Sequence, residues 1–173
     1  LTLQANGLQS VAVQSGLPTP ASGPFDRALL SIPKGRQLSR LHLLSAALAL
    51  APGGQLDVAG ANSEGIKSVL SDGERLLGPA ELLAYRQGHR VARFTRSALD
   101  PQALPPPFDA PGLLPGSFLA YEVAVGDQRL ALRSRPGVFS HGALDDGTAM
   151  LLANLTFRPN DRVLDLGCGA GII

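Results

Sequence analysis

Arg162-Val163-Leu164-Asp165-Leu166-Gly167-Cys168-Gly169-Ala170-Gly171 is the stretch that decides the reading of this chain. The apolar run into Asp165 predicts a buried strand, and the glycines after it predict a tight loop. Gly167, Gly169 and Gly171 fall at spacings of two and two. Glycine is needed there because a strand-to-helix turn demands positive φ and a ligand must approach the backbone closely. The dinucleotide fingerprint spaces its glycines two and then three, so this loop is a different one. Asp165 would repel a pyrophosphate but suits a ligand bearing an ammonium and a sulfonium. S-adenosyl-L-methionine carries both. The alternative is a tight turn that binds nothing. Gly171 is followed only by Ile172 and Ile173, and the chain starts on Leu1, so it reads as a piece of a larger enzyme.

Outward from the loop, three zones separate. Residues 1–96 alternate strand and helix patterns. Strands are expected over Gln9 to Gln14, over Phe25 to Ile32 and over Gln55 to Ala59. Arg36 to Ala51 reads as a helix with leucines on both sides, hence a buried one, stopped by Pro52-Gly53-Gly54. Ser63 to Leu77 reads as a second helix, with Ser63 as N-cap and Gly78-Pro79 as the stop. A hairpin follows, Glu81 to Arg86 and Arg90 to Thr95, turned at Gln87-Gly88-His89. Residues 97–116 hold six prolines, a density that forbids regular structure and reads as a semi-rigid linker. Residues 117–173 open on a hairpin around Gly126-Asp127 and continue through a helix from Asp145 to Leu155 into the Val163 strand. Strand-helix alternation on both sides of a linker predicts an α/β fold twice over.

Composition narrows the classes. Of 173 residues, 45% are hydrophobic and 17% charged, which is globular and too poorly charged for a disordered tail. The net charge of +1 announces no nucleic-acid binder, so any basic surface must be local. A single cysteine rules out an internal disulfide framework. The most apolar run, Leu41 to Ala51, falls far short of the roughly 20 residues that span a bilayer. Neither a membrane nor a metal is expected, and the cytoplasm is the default compartment.

Val163 through Gly171 resembles the first motif of class I S-adenosylmethionine-dependent methyltransferases. The stretch from Arg135-Pro136-Gly137-Val138-Phe139-Ser140 to Thr148 narrows the resemblance. It is similar to the tandem-domain bacterial ribosomal RNA guanine-N2 methyltransferases, the RsmC type. That resemblance implies a Rossmann-like fold and a cofactor held by Asp165, Gly167, Gly169 and Gly171, with Phe139 and Thr148 lining the cleft. Phe139 also reads as a core aromatic, His141 as a surface loop residue and Cys168 as inert packing. The resemblance places the catalytic, acceptor-binding residues beyond Ile173, so none is expected in this chain.

The first zone resembles a worn methyltransferase half. Where catalytic members of the group carry Asn-Pro-Pro and an aromatic, this chain has Ser31-Ile32-Pro33-Lys34-Gly35. The amide that would accept from an exocyclic amine and the ring that would stack on an extruded base are both gone. A domain of this kind scaffolds the protein or grips RNA. Its hairpin sets Arg86, Arg90, Arg93 and Arg96 against Glu81, with Tyr85 and Phe94 interleaved and Lys34 and Arg36 near by in sequence order. Lys34, Arg36, Arg86, Arg90 and Arg93 are the candidate phosphate contacts. The alternative is a solvated, arginine-rich hairpin face.

The expected activity is methyl transfer to a guanine N2 amine in small-subunit ribosomal RNA. The other readings are a class I methyltransferase with another acceptor, such as a different RNA or a protein glutamine, and a non-catalytic RNA- or ribosome-binding module.

Overall fold

The computed structural model describes residues 6–7 and 10–173 of the chain. After a 3-10 turn at Pro20–Ser22 come β1 (Phe25–Ser31), α1 (Arg36–Ala49), β2 (Leu50–Ala61), a 3-10 turn at Asn62–Glu64 and α2 (Ile66–Leu77). The hairpin β3 (Glu81–Arg86) and β4 (His89–Thr95) follows, then β5 (Leu119–Val125), β6 (Gln128–Ser134) and α3 (Asp146–Asn154). β1 and β2 are parallel and joined through α1, the βαβ unit of a Rossmann-like fold. β4 pairs antiparallel with β2, and β3 with β4, giving the order β1-β2-β4-β3. β5 and β6 form a separate two-stranded sheet.

Side-chain alternation explains where the core sits. Leu56 and Val58 of β2 and Ala92 and Phe94 of β4 point to one face and are buried beneath α1 and α2. On the other face Asp57 lies opposite Arg93 in the ladder and ties Arg93 and Arg27 together, while Leu29 is 81% exposed. α1 is buried on both sides as its leucines require, with Leu41, Leu43, Leu44 and Leu48 all inside. Gly73 of α2 lies against the Phe94 ring, where an added Cβ would come within 2.5 Å of the ring edge.

Buried Asp72 on α2 fastens the two helices. Arg36 donates Nε and Nη2 to its two oxygens at 2.9 Å each, and Arg40 adds a second fork at 2.8 and 3.3 Å. Burial pushes the Asp72 carboxyl up, but the two guanidiniums outweigh it and hold the group below its ordinary value. Such a pair is costly to assemble and more costly to break.

Several boundaries differ from the sequence reading. α1 ends at Ala49 and the chain enters β2 directly. Pro52-Gly53-Gly54 is an irregularity within β2, where the register to β1 shifts between Phe25 and Arg27, and not a stop before a new strand. Gly65, with φ 89°, stands at the N-cap of α2 in place of Ser63, because the Asn62–Glu64 turn takes up the residues before it. Of the expected Gln9–Gln14 strand, Gln9 lies outside the described residues and 11–14 are irregular. Residues 97–116 carry no helix or strand, as their prolines require, yet Leu104, Phe108 and Leu113 are buried in the same core as α1 and α2.

Candidate functional site

Three pieces of the last 35 residues form a cleft: the Phe139–Ser140 segment, the start of α3 and the Asp165–Ile173 loop. Asp145 is the N-cap of α3, accepting from the Thr148 amide at 3.1 Å, and its other oxygen accepts from Ser140 Oγ at 2.7 Å. The Thr148 and Ser140 hydrogen bonds, in that order, bring the Asp145 carboxyl down to about 2. The backbone of Ser140 takes a positive φ of 55°, an uncommon conformation for a residue with a side chain. One hydrogen-bonded knot thus fixes both the cleft segment and the helix start.

On the opposite wall Gly167, Gly169 and Gly171 have φ of 83°, 53° and 73°, the positive values that their spacing predicts. Oδ2 of Asp165 is buried and has no hydrogen-bond partner among the described residues. An orphaned carboxylate oxygen beside a bare-backbone loop calls for a donor or a positive charge from outside the chain. That donor set fits the methionine end of S-adenosylmethionine in charge. The cleft itself leaves about 30 Å³ open, room for a water-sized occupant.

The expected cofactor residues Asp165, Gly169, Phe139 and Thr148 all line this cleft, and Gly167 and Gly171 flank it. Phe139 is 70% exposed, an open wall instead of a core aromatic. Cys168 is exposed and not packed. His141 is half-buried, its Nδ1 has no hydrogen-bond partner among the described residues, and burial lowers its pKa. The predicted buried strand at Val163 does not form: residues 161–165 are irregular, and Leu164 and Leu166 are 78% and 84% exposed. A parallel strand is held by its neighbours, and none of the described strands pairs with these residues. Sequence reasoning missed Ser140 and Asp145 as site residues. The signal was the acid three residues before Thr148, an N-cap spacing.

The candidate RNA residues do not share one state. Arg36 is held on Asp72, and Arg93 donates to Asp57 at 2.7 and 3.0 Å. Phe94 is fully buried and is no surface aromatic. Arg90 lies 4.6 Å from the ring centre of exposed Tyr85 and donates to Asn62 Oδ1 at 3.0 Å. The side chains of Lys34 and Arg86 are exposed and make no hydrogen bond or ion pair among the described residues. Among those residues no group of His, Cys, Asp and Glu is placed to hold a metal ion, and no helix is long and apolar enough to cross a membrane.

Comparison with known proteins bears on both halves. The family model described as methyltransferase small domain N-terminal matches residues 2–79, and the methyltransferase small domain model matches residues 129–173. The ribosomal RNA small subunit methyltransferase C of Pseudomonas putida (strain GB-1) is 35% identical over 156 residues, covering 89% of this chain and 43% of that protein. Its counterpart from Pseudomonas aeruginosa (strain LESB58) is 32% identical, covering 88% and 42%. The chain thus spans less than half the length of these curated relatives. A solved T. thermophilus 16S rRNA N2 methyltransferase (RsmC), in complex with AdoMet and guanosine, superposes with a TM-score of 0.65 at 28% identity, covering 87% of this chain and 38% of that one. Matched at both ends by the two small-domain models, the chain is similar along most of its length to RsmC-type methyltransferases.

Proposed function

We propose that this chain is part of an enzyme that methylates the N2 amine of a guanine in small-subunit ribosomal RNA, with S-adenosylmethionine as the methyl donor, in the cytoplasm. The observation that carries the cofactor assignment is the unpartnered Asp165 oxygen beside three positive-φ glycines. The similarity to small-subunit ribosomal RNA methyltransferases carries the acceptor assignment. When bound, S-adenosylmethionine supplies a methyl group activated by its sulfonium. The residues of this chain bind and position. Asp165 offers a negative acceptor, the glycine loop offers bare backbone, and Phe139 offers an open aromatic face held from behind by the Ser140–Asp145–Thr148 knot. In-line displacement asks for positioning more than for a strong base. Residues 1–96 act as a degenerate methyltransferase-like half, 97–116 as the connection, and 117–173 as the start of the cofactor-binding domain.

Lys34, Arg86 and the Tyr85–Arg90 pair are the RNA contacts of the first half, since Arg36 and Arg93 are engaged in ion pairs. The test of the activity uses the whole enzyme of which this chain is part, and follows labelled methyl from S-adenosylmethionine into unmethylated small subunits, naked small-subunit RNA and protein. Label on a guanine amine supports the reading. Label on protein, or none on any RNA while the cofactor still binds, overturns it.

A further inference from the structure

A second cavity of about 420 Å³ lies away from the Asp165 cleft, where α1 meets the Arg135–Gly137 turn. That volume falls in the roughly 300–1,000 Å³ range of small-ligand sites. Leu38 and Leu41 of α1 and Pro136 supply apolar wall, while Thr19, His42, Ser45 and Arg135 supply polar side chains. Among the described residues no carboxylate lines it, so a cation finds no acid there to neutralise it. Arg135 makes no ion pair among the described residues, and its Nε is buried without an acceptor. The guanidinium carbon lies over the Phe118 ring, 5.8 Å from its centre, at the outer edge of cation–π range. A partly buried cation with an unused donor recognises an anion, and its fork matches the oxygens of a phosphate.

A bare phosphate would leave most of the cavity empty. His42, which burial keeps neutral near pH 7, offers one donor and one acceptor, and buried Ser45 offers a hydroxyl. An apolar slot with a few hydrogen-bonding groups beside a guanidinium is the chemistry of a nucleotide. We propose that this cavity is a subsite for one unpaired nucleotide of the RNA substrate, its phosphate on Arg135 and its base between Leu38, Leu41 and Pro136. This rests on the RNA-methyltransferase reading. A free nucleotide shares the same chemistry, and the test separates the two sources.

The experiment is an NMR titration of the chain with 5′-GMP, 5′-AMP, inorganic phosphate and a short single-stranded RNA. The expected result is shifts at Leu38, Leu41 and His42 with the nucleotides and at lower concentration with the RNA. Arg135→Gln should weaken both by about tenfold or more, the worth of a charged hydrogen bond. His42→Phe, which fills the slot while Arg135 remains, should weaken the nucleotides but not inorganic phosphate. Shifts with free nucleotide and none with RNA overturn the RNA source. Phosphate binding as tightly as nucleotide, or no shifts at these residues, overturns the subsite. Methyl transfer to small-subunit RNA is measured separately on the whole enzyme of which this chain is part. Transfer without shifts removes the subsite alone, and shifts without transfer remove the activity on which it rests.

Discussion

Residues 25–114 and residues 139–173 belong to one chain but are held by different forces. The first region buries leucines, Phe94 and Phe108 around α1 and α2 and fastens the helices through Asp72. The second has no buried residue in α3 and no formed strand, and its order comes from turns and side-chain hydrogen bonds. Yet the second holds the candidate cofactor residues, and the first carries Ser31–Gly35 where the resemblance leads one to expect an acceptor motif. The two regions thus differ in how deeply their side chains are buried, and substitutions in each should register on different observables.

The largest effect should come from Phe108→Ala. Phe108 is fully buried although it sits in the proline-rich segment, and removing its ring should cost about 3–5 kcal/mol in urea unfolding. A loss below about 1 kcal/mol, the ordinary surface range, would show that the segment is a loose connection and not part of the first region's core. Next is Asp72→Asn, which leaves two guanidiniums without their carboxylate. Arg40 is mostly buried but Arg36 is half-exposed and turns to water, so the cost should be about 3 kcal/mol, the low end for a broken buried pair. Little change would mean that leucine packing alone joins α1 to α2.

Gly137→Ala tests the seam between the regions and should be smaller. Gly137 has φ 97°, and an added Cβ would stand 2.9 Å from Leu38 Cδ1 of α1. The side chain of Leu38 moves aside readily, so the backbone conformation sets the cost at about 1–2 kcal/mol. The same substitution should alter chemical shifts at Phe139 and Ser140. If the loss is purely global, with those shifts unchanged, the seam does not position the cleft.

The elements most legible in the sequence are those whose signal is local. The leucine pattern of Arg36–Ala49 and the Gln87-Gly88 turn report their own neighbourhoods, and both appear where expected. The three glycines likewise carry their conformation in their own backbones. The Val163 strand does not, because a strand exists only through partners elsewhere in the chain. Arg93 and Arg36 looked available because their acids, Asp57 and Asp72, are 36 residues away in sequence. The core role of Phe108 was hidden by the prolines around it, which forbid regular structure but not burial.

The smallest effect is the most local and concerns pH. Hydrogen bonds from Thr148 and Ser140 bring the Asp145 carboxyl from 3.8 to about 2. A carboxyl whose folded value is lowered binds protons more weakly when folded than when unfolded, so acid favours unfolding. Its contribution is fully present above the ordinary value of 3.8 and is lost as pH falls through about 2. Asp57 and Asp72 are lowered as well, so acid weakens the first region too, and a global melting curve cannot separate the regions. The Thr148 amide and the Asp145 carboxyl carbon can, because their NMR shifts report this cap alone. Both should titrate together near pH 2, and Asp145→Asn should abolish the transition while leaving α1 unchanged. A midpoint near 3.8 would mean that the Ser140–Asp145–Thr148 knot does not hold the cleft wall in solution, and Phe139 would then lose its support as a cofactor-facing residue.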